Sequence, residues 1–135
     1  MVRKDSPVKS VDEIDRTGTR IGVNKGSAYD LFLSRTLKAA TLVRGDDGID
    51  VFVKGGLEAA AGVKQPMAIY AGKHPEMRLL DGRFMEIRQA MGVAKGRAAG
   101  AAYLRAFVEE LKASGFVADA LKRSNQPDAM VAPAG

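Results

Sequence analysis

The sequence predicts an α/β fold: a mainly parallel sheet with helices on both faces. Three observations predict it. Short runs with the two-residue period of a strand take turns with stretches of helical spacing along most of the chain. Glycine-bearing turns separate the two kinds of segment. The chain has 135 residues, 46% apolar and 27% charged, which suffices for one domain with a real core.

The elements follow in order. Residues 1–18 read as extended and then turn-like, with Val11-Asp12-Glu13-Ile14-Asp15 a short helix. In Thr19-Arg20-Ile21-Gly22-Val23-Asn24 the alternation of Ile21 and Val23 marks a strand, and Lys25-Gly26 turns the chain. Ser27 stands three residues before Asp30 as a capping-type pair, and Leu31, Phe32, Leu33 and Leu37 then fall at helical spacing. Thr41–Arg44 reads as a strand, 45–48 as a loop, and Ile49–Lys54 as a short amphipathic helix ended by Gly55-Gly56. Leu57–Val63 is expected to be a short buried strand. A helix over Gln65–Gly72 follows, with Pro66 in its first turn and His74-Pro75 closing it.

Met77–Leu80 is a strand candidate and Asp81-Gly82 a turn. Phe84–Val93 alternates over ten positions and predicts a long strand. Over Arg97–Ser114 the pattern becomes that of an amphipathic helix with Tyr103, Leu104, Phe107, Val108 and Leu111 on its apolar face and Gly115 as its C-cap. Phe116–Arg123 is a second short helix, and residues 125–135, rich in Pro and Ala, are expected to be disordered.

Composition excludes several functions. With no cysteine there is no disulfide, thiolate nucleophile or cysteine-based zinc site. The single histidine, His74, rules out a multi-histidine metal site and leaves no His-centred triad with spare partners. Next to Pro75 it reads as a surface loop residue. The net charge of +5 comes from interspersed charges, without a basic stripe and with few aromatics, which argues against nucleic acid. No apolar run approaches the roughly 20 residues needed to span a bilayer. No signal-type apolar segment follows Met1-Val2-Arg3-Lys4. Glu58, Glu109 and Glu110 read as structural or solvated groups, and Met67, Met77, Met85 and Met91 as core filling. No constellation suits catalysis, so a non-enzymatic protein is expected, without cofactor.

Two predicted helix starts fall after strands, where open α/β sheets hold their ligands: Gly26-Ser27-Ala28 and Val63-Lys64-Gln65. Helix starts present free N–H groups and partial positive charge, so each suits an anion. Ser27 has two roles open to it. It can take part in an anion site at the helix start, or it can serve as an N-cap worth about 1 kcal/mol. Lys64 suits a second anionic group or simple solvation.

The order Asp5-Ser6-Pro7, Val11-Asp12-Glu13-Ile14 and Arg20-Ile21-Gly22-Val23-Asn24-Lys25-Gly26-Ser27 resembles the middle of a family 3 extracellular solute-binding protein, the amino-acid-type receptor of ABC importers. Gly56-Leu57-Glu58-Ala59, Met91-Gly92-Val93-Ala94-Lys95-Gly96 and the closing pattern Leu104, Phe107, Val108, Leu111, Lys112, Ser114-Gly115, Leu121 extend the resemblance over residues 5–124.

It implies one lobe of a type II periplasmic-binding-protein fold, with lobe two at residues 10–90 and a return strand and C-terminal helices at 84–124. A first lobe of about a hundred residues, a usual domain size, is expected to be missing. A truncated reading frame, an engineered piece and a stand-alone descendant all fit. The implied ligand is a small carboxylate-bearing solute, amino-acid-like, held by Gly26, Ser27, Ala28, Lys64 and Gln65. An ABC permease is the implied partner. The family's ammonium-binding aspartate falls at Val63, so either the ligand is not a standard α-amino acid or the site has decayed. The resemblance implies a periplasmic location, and a complete chain of this sequence would instead be cytoplasmic. Tyr103, Phe107 and Leu111, left without a first lobe, are expected to drive self-association, with C-terminal helices exchanged between protomers. The alternative function is a cytoplasmic interaction or oligomerisation module without ligand binding.

Overall fold

In the computed structural model, which describes residues 1–127 and 129–135, the chain forms two compact units, Met1–Ile87 and Arg88–Gly135. The first unit is α/β. Its elements are β1 (Val2–Arg3), β2 (Arg20–Asn24), α1 (Ala28–Thr36), β3 (Thr41–Gly45), α2 (Gly48–Lys54), β4 (Ala59–Ala60), α3 (Lys64–Lys73) and β5 (Met77–Arg78). Val11–Glu13 makes a 3₁₀ turn.

Strand β2 lies between β3 and β4, and all three run parallel: Ile21 sits opposite Leu42 on one side and Ala59 on the other. β1 and β5 pair antiparallel. Met1 and Ala60 exchange reciprocal backbone bonds, Met1 N–H to Ala60 O at 2.8 Å and Ala60 N–H to Met1 O at 2.9 Å. That reciprocal pair is the antiparallel pattern, so β1 joins β4 to β5 while running against both.

The pleat sorts side chains onto two faces. Val2, Ile21, Val23, Ala59 and Ala61 pack with Leu33 of α1, with Phe32 and Phe84 at the margin. Met1, Ala60 and Met77 pack with Phe52 of α2 and Met67 of α3. Helices therefore cover both faces, α1 on one and α2 with α3 on the other. At Gly22 the α2 backbone comes so close that an added Cβ would sit 2.5 Å from the Gly48 carbonyl oxygen.

Several sequence expectations need correction. The strand expected over Leu57–Val63 is reduced to Ala59–Ala60, because β2 offers partners only at Ile21 and Gly22. Phe84–Val93 forms no strand. An alternating pattern needs a neighbouring strand to take its backbone groups, and the sheet of residues 1–87 supplies none there. Phe84 instead packs near Phe32, ring centroids 6.1 Å apart. Met67 and Met77 are core residues as expected and Met85 is half-buried, but Met91 is 65% exposed.

The second unit holds α4 (Ala98–Ala113) and α5 (Phe116–Arg123), packed together around Gly115, whose φ of 82° is the left-handed turn that glycine permits. Neither helix contains a buried residue. The described part of 125–135 carries no helix or strand, and the Pro133 carbonyl accepts from Lys112 Nζ at 2.8 Å. The expectation of disorder at Asp128 lies outside the described residues.

Candidate functional site

The carboxyl edge of the parallel strands is where the candidate residues lie. β2 ends at Asn24 and turns through Lys25-Gly26, where φ is +74° at Gly26, into α1. β4 ends at Ala60 and passes through Ala61, Gly62 and Val63 into α3. β2 and β4 are neighbours in parallel register, and the Ala61 amide donates to Gly22 O at 2.9 Å. The fold thus brings Gly26-Ser27-Ala28 and Lys64-Gln65 to one sheet edge. Because α1 and α3 cover opposite faces, the two groups flank that edge from opposite sides.

At the first group Ser27 is the N-cap of α1, its Oγ accepting from the Asp30 amide at 3.1 Å. The Ser27 amide is committed to the turn, donating to Asn24 O at 3.2 Å, which removes it from the expected ligand donors. The Gly26 amide is also engaged, donating to Asp30 Oδ2 at 2.8 Å. What the turn leaves for a ligand is the Ser27 hydroxyl hydrogen and the amides of Ala28 and Tyr29, for which no acceptor is found among the described residues.

In the sequence Asp30 is half of a capping-type pair. The structure makes it a buried acid, 3% exposed. It accepts from the Gly26 amide, from Arg44 Nε at 2.9 Å and from the Ser34 hydroxyl at 3.3 Å. The Gly26 amide first, and then Arg44 and Ser34, hold its carboxyl below the usual aspartate range despite its burial. The pair leaves little net charge beside Ser27, so Asp30 opposes an incoming anion less than its formal charge implies.

Asn24 is a residue that the sequence reading passed over. Its Oδ1 accepts from the Tyr29 hydroxyl at 2.7 Å and the Gly48 amide at 2.9 Å, and its Nδ2 donates to Asp46 O at 2.9 Å. One side chain at the end of the central strand therefore positions the starts of α1 and α2. An asparagine directly after an alternating run and before Lys-Gly was the available signal. The α2 start is closed by Asp47, whose Oδ1 takes the Ile49 and Asp50 amides at 2.7 and 3.0 Å.

The α3 start differs. Its N-cap is Val63, which offers no side-chain acceptor, and its first turn carries no acid. Lys64 is exposed and Gln65 half-buried. Val63 itself is exposed. A concavity of about 540 Å³ lies elsewhere, lined by Asp46, Asp47, Asp50, Val51, Lys54 and Gly55, and contains none of the candidate residues.

Glu58 lies at the opposite, amino edge. Its two oxygens take Arg20 Nε and Nη2 at 3.0 and 2.8 Å, and one also accepts the Arg20 amide. The Arg20 side chain lowers the Glu58 carboxyl to about 2. Its role is to clamp β2 to β4, in line with a structural reading. His74 caps the end of α3, stacked on Tyr70 with centroids 4.0 Å apart and 3.2 Å from Glu76. Among the described residues no acidic or histidine cluster has the geometry for a metal, and no helix is long and apolar enough to cross a membrane. Comparison with protein-family models, with characterised proteins and with solved structures gives no match to this chain.

Proposed function

We propose that residues 1–87 are a solute-binding lobe of the type II binding-protein kind, serving an ABC importer without catalysing a reaction. The lobe takes a small carboxylate-bearing solute at the carboxyl edge of β2 and β4. One observation carries this reading: two neighbouring parallel strands each run into a helix start on the same edge, one bringing the Ser27 hydroxyl and Ala28 amide, the other Lys64 and Gln65. A carboxylate at the first start gains the partial positive charge of α1, and Lys64 stands at the other start. Val63 in place of an acid favours solutes whose recognition does not depend on an ammonium group.

Weak or absent binding is expected of the chain alone. Small-molecule pockets bury about 70–90% of their ligand, and an open sheet edge covers one side only. Isothermal titration with a panel of amino acids and dicarboxylates tests the reading. Millimolar or tighter binding that is lost in the Ser27→Ala/Lys64→Ala double variant supports it. No heat with any member of the panel, from a folded chain, rejects it for this chain.

The second unit favours a second reading, an interaction module. Tyr103 is 72% exposed and Phe107 39%, side by side on α4 with ring centroids 6.3 Å apart. Absence of binding together with a stable oligomer selects this reading.

A further inference from the structure

The α4 face that α5 and the tail leave open has a definite composition. Ala99, Gly100, Tyr103, Ala106, Phe107, Glu110, Ala113 and Ser114 are all exposed, and 99, 103, 106, 110 and 113 follow alternate steps of four and three. That is the spacing of a helix–helix seam, and it runs about 21 Å along the axis at 1.5 Å per residue. Its inventory is two aromatic rings, one carboxylate and otherwise small residues. Leu104, Val108 and Leu111 are half-buried, and Glu109 and Lys112 pair with each other. The seam is therefore the unoccupied side of the helix.

From this pattern we infer that α4 pairs antiparallel with α4 of a second copy, about a two-fold axis between Ala106 and Phe107. The register follows from the seam's own chemistry. With the axis there, Phe107 of each copy meets Ala106 of the other, Gly100 meets Ala113, and Ala99 meets Ser114. At the axis the Phe107 ring faces a small residue, so the backbones can approach closely there. The only charge in the seam, Glu110, comes opposite Tyr103, whose hydroxyl can donate to the carboxylate, and the two-fold axis makes that bond twice.

A parallel pairing would put the two Glu110 carboxylates side by side and ring against ring. A lipid surface prefers an apolar face bordered by Lys and Arg, and the seam instead places an acid among its rings. A second copy gives Glu110 a donor in Tyr103, the Ser114 hydroxyl already being bonded to the Leu111 carbonyl, and the contact is isologous. The pairing deepens the interaction-module reading and does not depend on solute binding, so silence in the titration leaves it untouched.

Because the chain has no cysteine, single cysteines report the register. The full chain is examined by sedimentation at tens of micromolar, where the mass should move from 14.4 kDa toward twice that value. Phe107→Asp should return it to monomer with the helical circular-dichroism signal unchanged, since Phe107 is exposed and α4 contains no buried residue. Disulfides form only where Cα atoms approach within about 7 Å. Under mild oxidation Ala106→Cys should cross-link to itself, and Gly100→Cys should cross-link to Ala113→Cys in a mixture but not to itself. A monomer at all these concentrations overturns the pairing. So does a dimer indifferent to Phe107→Asp, which would place the interface elsewhere, or self-linking of Gly100→Cys, which would mark a parallel register.

Discussion

The contact between β2 and α2 gives a prediction with a defined magnitude. Gly22 and Gly48 face each other across it, and neither has a positive φ, so alanine at either position acts through space alone. A Cβ on Gly22 meets the Gly48 carbonyl oxygen at 2.5 Å and the Phe52 nitrogen at 3.1 Å. A Cβ on Gly48 lies 2.9 Å from Val23 Cα and 3.1 Å from the Asn24 nitrogen. All of these are backbone atoms, which cannot swing aside as a flexible side chain would. Ordinary carbon contacts lie at about 3.5 Å or beyond, so α2 must retreat by roughly 1 Å for Gly22→Ala. That retreat loosens Phe52, which is fully buried, and stretches the Asn24–Gly48 hydrogen bond.

Overpacking of this kind costs about 1–3 kcal/mol, and the rigid neighbours put Gly22→Ala at the upper end, about 3 kcal/mol. Gly48→Ala regains up to about 1 kcal/mol of helix propensity and should cost about 2 kcal/mol. One displacement of α2 makes room for both methyl groups, so the double variant should cost at least about 1 kcal/mol less than the sum. Urea unfolding followed through the NMR intensities of the β2 amides measures all three. Gly72→Ala, in α3 with nothing within 4 Å of its added Cβ, is the control and should be neutral or slightly stabilising. Single substitutions costing under about 0.5 kcal/mol, or strictly additive costs, would show that the strand–helix spacing is not set by these glycines.

Other outcomes follow from the site. Ser27→Ala should cost about 1 kcal/mol through the lost cap, and Ser27→Asp should restore most of it while abolishing any carboxylate binding. Asp30→Ala should cost about 2–3 kcal/mol in urea melts at pH 7, because the Gly26 amide and Arg44 lose a buried charged acceptor while Arg44 keeps access to water. The folded pKa of Asp30 lies below its ordinary 3.8, so that contribution is complete above about pH 4 and declines as the pH falls below it. A difference between wild type and Asp30→Ala that grows on acidification contradicts the assignment. Glu58, lowered from 4.5 to about 2 by Arg20, predicts the same sign: the advantage over Glu58→Gln is constant above pH 4.5 and disappears toward pH 2 in acid titration. Asn24→Ala should release Tyr29 and the α2 start together, which hydrogen exchange at the Gly48 amide would register as faster exchange.

Local patterns were legible wherever the chain's own neighbours decide the conformation. Ser27 three residues before Asp30 marks the α1 cap, and the helical spacing from Tyr103 to Leu111 marks α4. Ile49–Lys54 and Gln65–Gly72 were legible as α2 and α3 to within a residue or so at each end. Alternation gave β2 but misled at Phe84–Val93, because a strand is completed by another strand and a pattern does not reveal whether one is present. The same dependence on a partner cut Leu57–Val63 to two residues.

The candidate site was legible in its positions and less so in its chemistry. Sequence located both helix starts, since a glycine turn with a capping serine at α1 and Pro66 in the first turn of α3 are local signals. It could not show that Asp30 folds back onto the Gly26 amide and is neutralised by Arg44, fourteen residues away. Nor could it show that Asn24 ties together two helices whose starts lie on different segments. The sequence by itself determined the α/β class, the helix starts and the apolar stripe of α4, because each rests on the spacing of residues along one segment. Only the tertiary structure decided which strands are neighbours, which amides remain open and which charges cancel, because those depend on groups that meet only after the sheet has formed.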